Sequence, residues 1–151
     1  MLDLLADYGY LGLFAASFLA ATILPISSEF VFFALIITKF DITTCVIIAS
    51  IGNWLGGMTN YYIGRLGKTE WAEKYLKISR EQIIKTQKRL YGKGASVAFF
   101  SFLPIIGDII PLTLGFMRAN IYIVSISMFL GKTSRYILIY FGIKLGLLIF
   151  N

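Results

Sequence analysis

Four ionisable residues stand inside stretches that are otherwise apolar. Glu29 lies in LPISSEFVFFALIIT, Asp108 in LPIIGDIIPLTLGF, and Lys132 and Arg135 in YIVSISMFLGKTSRYILIY. Lys132 and Arg135 are three residues apart, so in a helix they share one face. In hydrocarbon each such group costs about 2.5 to 3.5 kcal/mol even on a lenient insertion scale. Four of them cost on the order of ten kcal/mol, as much as the whole stability of a domain. They must be paired or hydrated. A purely structural salt-bridge network is a poor source of stability, because desolvation offsets the attraction. Two functional chemistries are open. A phosphate or carboxylate head group can displace Glu29 or Asp108 as partner of Lys132 and Arg135. Alternatively, a buried acid can carry a proton.

A second group adds to this site. Asn53, Gly56, Gly57, Asn60 and Gly64 recur at helical spacing. Small residues let helices approach closely. Asn53 and Asn60 add amides suited to water or a head group. Other chemistry is poorly supplied. The chain has no histidine, which removes the commonest metal ligand and the usual general base. No His or Cys cluster supports a metal, and Ser27 and Ser28 have no base to activate them. FLGKTS resembles a phosphate-binding loop, but the motif needs glycine where Ile126 stands. The expectation is a protein that is not an enzyme and needs no cofactor or metal.

The elements that position these residues are membrane segments. Of 151 residues, 58% are hydrophobic and only 15% charged, against about a quarter charged in soluble domains. Nine of the fourteen Lys and Arg fall between Arg65 and Lys93. The positive-inside rule puts that segment in the cytoplasm, so the cluster needs no nucleic acid to explain it. Within the segment, Ser79 and Gln82 form a capping-box pattern and Gly92 is a stop. Ile83, Ile84, Leu90 and Tyr91 are expected to make one apolar face of an interfacial helix. Residues 1–8, with Asp3 and Asp7 and no basic stretch, read as a short interfacial helix rather than a signal peptide. The single cysteine, Cys45, cannot form an internal disulfide.

The chain reads as one integral membrane domain, 1–151, built from two copies at an offset of 79 with no gap. Leu24, Pro25 and Ile26 fall on Leu103, Pro104 and Ile105. Glu29 falls on Asp108, Asp41 on Asn120, Gly52 on Gly131, Tyr61 on Tyr140 and Arg65 on Lys144. Repeat 1 covers about 9–67, the cytoplasmic linker 68–94, and repeat 2 about 95–146. In copy one the apolar arms before and after LPISSE are about 15 and about 9 residues, short of the roughly 20 that span a bilayer. They read as a re-entrant hairpin broken at Pro25, followed by a span over 42–64. Copy two has a hairpin over 95–117, interrupted by Pro104 and Pro111, and a span over about 121–143. A hairpin plus one span is an odd number of crossings, so the second copy is inverted. Discontinuous helices meeting at mid-membrane are a transporter architecture.

LPISSE, GNWLGGMTNYYIGR, SFLPIIGDIIPLTLGFMR and LGKTSRY together resemble the DedA family of bacterial membrane proteins, in its short YqaA-type branch. The resemblance implies opposed re-entrant hairpins, a bacterial plasma (inner) membrane location, and movement of lipid. The lipid would be a polyprenyl phosphate or a phospholipid, coupled to protons or sodium. Glu29 stands where the family has its hairpin acid, and Gly52, Gly56, Tyr61, Gly64 and Arg65 match its glycine-tyrosine motif. The acid that usually follows the second glycine is Gly57 here. The family's two hairpin arginines are Ser101 and Gly107. Lys132 and Arg135 are expected to supply the missing positive charge from the second span. The expected function is a multi-pass transporter or scramblase of an anionic lipid. Glu29, Asp108, Lys132, Arg135, Asn53 and Asn60 form its site, and a homodimer is compatible with so few spans. The alternatives are a proton-coupled transporter of a small ion or solute, and a non-transporting envelope partner.

Overall fold

The protein, described by a computed structural model, is defined for residues 2–22, 28–38, 40–103 and 106–149; the side chains of 2–7, 28, 29 and 147–149 fall outside that description. Pro25 and Pro104, the expected hairpin breaks, also lie outside the described residues. Among the described residues every regular element is a helix. These are α1 (Leu2–Thr22), α2 (Ser28–Ile37), α3 (Ile42–Arg65), α4 (Thr69–Tyr75), α5 (Arg80–Leu90), a tighter 3-10 helix η1 (Ala95–Phe102), α6 (Ile109–Phe116) and α7 (Ile121–Ile149).

The two long helices start 79 positions apart, at Ile42 and Ile121. Each is capped from the residue before it. The Asp41 carboxylate accepts from the Thr44 N–H and hydroxyl, and Asn120 Oδ1 accepts from the Tyr122 and Ile123 N–H groups. These side chains satisfy donors that no helical carbonyl can reach. α3 has the length and composition of a membrane span. α7 has 29 residues, roughly 43 Å at 1.5 Å per residue, and runs beyond the expected end near 143.

α3 and α7 form the centre. α1 lies along α3, η1 lies along α7, and α6 packs against the C-terminal half of α3. One core cluster joins Leu13, Phe32, Cys45, Ala49 and Tyr136. A second joins Tyr61, Leu90, Ala98, Ile110, Leu114, Val124 and Met128. These two draw on α3 and α7, and a third joins Ala72, Ile78, Ile83 and Leu112. The contact of α3 with α6 is made by glycines on both sides. A Cβ on Gly64 would meet the Leu112 carbonyl oxygen, and one on Gly115 would meet that of Tyr61. Away from these contacts α7 presents exposed Ile123, Ile126, Leu130, Leu138, Phe141 and Leu145, an apolar surface suited to lipid.

Several local expectations change. Residues 1–8 are not a separate helix, because α1 runs unbroken from Leu2 to Thr22. Its leucines and alanines favour helix. Pro111 does not interrupt its segment. It is the third residue of α6, where its missing N–H is one of the unpaired donors of a first turn. The linker holds two helices, not one. α5 has the expected capping box between Ser79 and Gln82, and Gly92 follows at φ +78. However, α5 buries Ile83 and Leu90 against α6 and its neighbours while Ile84 and Tyr91 are exposed. Ile83 and Leu90 are two turns apart and share a face, whereas consecutive residues cannot.

Candidate functional site

The site lies where α3 crosses α7. Lys132 enters it from α7 and is only 1% exposed. Its Nζ lies 3.3 Å from Asp108 Oδ1 and also donates to Asn53 Oδ1 on α3. The Asn53 amide donates in turn to the Tyr136 hydroxyl at 3.2 Å, one turn along α7 from Lys132. Asp108 is the residue before α6 and makes no cap bond with its side chain. It is 38% exposed at the side chain, so the pair has a dry side at Lys132 and an open side at Asp108. An ammonium has three donors. Two are used, so among the described residues the third has no acceptor.

The neighbouring residues explain how a lysine fits here. Gly57 leaves room for the lysine stem, since a Cβ there would lie 3.1 Å from Lys132 Cε and 2.6 Å from Met128 Sδ. At this position the family usually has an acid. Gly107, where an arginine is usual, sits so close to the Ser101 and Leu103 carbonyl oxygens that no side chain fits without moving backbone. Ser101 is buried, and its hydroxyl donates to the Ala98 carbonyl at 2.6 Å. Lys132 therefore brings to Asp108 a positive charge that these two hairpin positions do not supply.

The contacts follow the internal offset. Asn53 and Lys132, which bond each other, are 79 positions apart. The contact of Gly57 with Lys132 and that of Asn53 with Tyr136 are images of each other under the same offset.

Not every expected residue joins this cluster. The Asn60 amide donates to the Ala21 carbonyl at 2.7 Å, satisfying one of the open carbonyls at the end of α1. Its Oδ1 is buried and has no partner among the described residues. Arg135 is half-buried one turn beyond Lys132. The Glu29 side chain lies outside the described residues. Gly52 and Gly56 seat α3 on α1, where a Cβ would approach the Phe14 and Phe18 carbonyl oxygens at 2.7 and 2.6 Å. Tyr61 is buried. Its hydroxyl donates to the Ala119 carbonyl and accepts from Arg65 Nη1 at 3.1 Å. Tyr136, fully buried and bonded to Asn53, was not singled out from the sequence. The signal for it was present, because it falls on Gly57 at the repeat offset.

Every described element is helical, one of them is long and apolar enough to cross a membrane, and the relatives include inner membrane proteins; the chain is an all-α membrane protein. Its similarities agree. It is 37% identical to Escherichia coli inner membrane protein YqaA over 130 residues, 83% of this chain and 84% of the relative. It is 37% identical to a Haemophilus influenzae protein over 138 residues, 85% and 83% of the two chains. It is 31% identical to the Bacillus subtilis membrane protein YkoX over 148 residues, 91% of this chain and 64% of that one. The chain belongs to the DedA family, in its short YqaA-type branch. No family model matches it, and no solved structure does.

Proposed function

We propose that the protein moves an anionic lipid, a polyprenyl phosphate or a phospholipid, across the inner membrane as a transporter or scramblase and not as an enzyme. The carrying observation is the Lys132–Asp108 pair at the α3–α7 crossing. A buried ammonium whose third donor has no acceptor among the described residues, beside a half-exposed carboxylate, can exchange that carboxylate for a phosphate oxygen. A phosphate gives the charge-assisted bonds an ammonium needs in a dry site. The released carboxylate can then take a proton, which would couple lipid movement to protons; a sodium ion is the other candidate. Glu29 at the first hairpin and Arg135 one turn from Lys132 complete the proposed path, with Asn53 and Asn60 along it.

The proposed architecture is a multi-pass inverted repeat with the linker, including α4 and α5, on the cytoplasmic side. Support comes from the shared offset of the two long-helix starts and of the contacts at their crossing. A twofold axis in the membrane plane would bring residues 53 and 132 onto one another, as such repeats require. In the sequence the apolar arm before LPISSE is about 15 residues, and α2 has ten, each shorter than the roughly 20 residues of a span. That suits a re-entrant pair.

The test is head-group translocation in proteoliposomes, using a polyprenyl phosphate and a labelled phospholipid. Wild type is compared with Asp108→Asn and with Lys132→Gln plus Arg135→Gln. Transport by wild type and loss in both variants supports the proposal. Equal transport by all three makes the charges structural. If neither lipid moves but a small ion or solute is taken up, the same cluster serves a solute transporter. If nothing moves, the chain acts as a non-transporting partner in the envelope.

A further inference from the structure

A second cationic site lies away from the buried cluster, at the end of α3. A cavity of about 320 Å³ is lined by Tyr62, Arg65, Leu66 and Arg118. That volume falls within the range of small-molecule sites, about 300 to 1,000 Å³. Arg65 is the last residue of α3, and Arg118 follows Met117, the C-cap of α6. Two arginines line one small cavity, and among the described residues no carboxylate lines it. Among the described residues the one ion pair is Lys132–Asp108, so neither arginine has a carboxylate partner there. Helix C-termini favour a cation nearby. That accounts for one arginine at each helix end but not for both facing the same space.

Arg65 is held in place at its side chain, and Arg118 at its backbone. Arg65 donates to the Tyr61 hydroxyl, which is anchored on the carbonyl of Ala119, next in the chain after Arg118. Arg118 has φ +51 and its N–H bonds the Gly115 carbonyl at 2.9 Å. This is the left-handed position after a helix where glycine is the usual residue. An arginine here accepts backbone strain to place its side chain. The remaining walls, Tyr62 at 49% and Leu66 at 68% exposure, are apolar and open outward. A free anion has no use for them, whereas a hydrocarbon tail does.

We propose that Arg65 and Arg118 form a binding site for the phosphate of a membrane lipid, with Tyr62 and Leu66 against its first chain carbons. Planar guanidinium forks match phosphate oxygens bidentately. The site shares its lipid class with the proposed function but does not depend on transport. It would act as a landing point from which head groups are handed inward, or as a fixed annular lipid.

The experiment uses the full-length protein in detergent and counts bound lipid by native mass spectrometry, with dioleoyl phosphatidic acid against phosphatidylcholine. Wild type should retain phosphatidic acid preferentially. Arg65→Gln with Arg118→Gln removes the charge-assisted contacts and should lower that retention about tenfold or more. Lys88→Gln, an exposed charge on α5, should not. Arg118→Gly keeps the backbone conformation and relieves its strain, so loss of retention in that variant is not a folding defect. Inorganic phosphate at millimolar concentration should fail to displace the lipid; displacement would make the site one for soluble anions and overturn the lipid assignment. Equal retention by wild type and both arginine variants would also overturn it. Wild type that binds here yet moves no lipid leaves this site standing and sinks the transport proposal. Transport without arginine-dependent binding does the reverse.

Discussion

Replacing Asp108 with alanine should destabilise the protein, and replacing Lys132 with methionine in the same chain should restore it. Lys132 is 2% exposed at its side chain and has two acceptors, Asp108 and Asn53. Losing Asp108 leaves the ammonium buried on one neutral amide oxygen. Removing one partner of a buried pair costs about 3 to 5 kcal/mol. Asp108 is 38% exposed, so the pair is less than fully buried and the expectation is the lower end, about 3 kcal/mol. In the double variant the methionine fills the lysine stem's space beside Gly57 and Met128 with no charge to solvate. Apolar replacement of buried ion pairs is often neutral or better, so the double variant should lie within about 1 kcal/mol of wild type. The Asn53 oxygen left without its donor keeps it from doing better. The assay is reversible unfolding in mixed micelles, read by tryptophan fluorescence, with lipid translocation measured on the same preparations. Stability should return in the double variant while translocation stays lost. A single substitution costing under about 1 kcal/mol, or a double variant no more stable than the single, would show that Lys132 is not held as a buried, paired charge.

Three further outcomes test the frame around the site. Gly115→Ala should cost about 2 kcal/mol or more, because its Cβ meets the Tyr61 carbonyl, which is backbone and cannot give way; Gly142→Ala, with open space around it, should be neutral or stabilising in the same thermal melts. The Thr44 hydroxyl and amide hold the Asp41 carboxyl below its usual range. A depressed folded value means the capping contribution is present above the unfolded value and lost as pH falls through the folded one. Melting temperature should therefore drop on acidification from about pH 5 to 3, and Asp41→Asn should flatten that drop while keeping a cap. Ser79→Ala breaks the capping box of α5, costs about 1 kcal/mol, and should show as faster amide exchange across residues 80–90; unchanged exchange would mean that packing on α6 alone holds the helix.

Much of the frame was legible in the sequence because it depends on local chemistry. The starts of α3 and α7 follow from the hydropathy pattern and the repeat offset, and the box at Ser79 and Gln82 from which residues satisfy the open N–H groups of a helix. The presence of costly charges at Lys132 and Asp108 follows from hydropathy alone. The continuity of α1 and the placement of Pro111 differ from the sequence expectation. A breaker such as proline has a different meaning in a first turn than in a helix interior, and the turn in which it falls depends on where the helix begins.

The sequence by itself determined the class, the family and the charged residues that need partners. The tertiary structure decided which partners they have. Periodicity says which side chains share a face of one helix, but not which face meets which helix. That choice rests on backbone approach. Gly52 and Gly56 seat α3 on α1, Gly64 and Gly115 join α3 to α6, and Gly57 opens the space that Lys132 enters. Only once those surfaces close does Lys132 reach Asp108 and Asn53, does Tyr136 join them, and do Arg65 and Arg118 come to line one cavity.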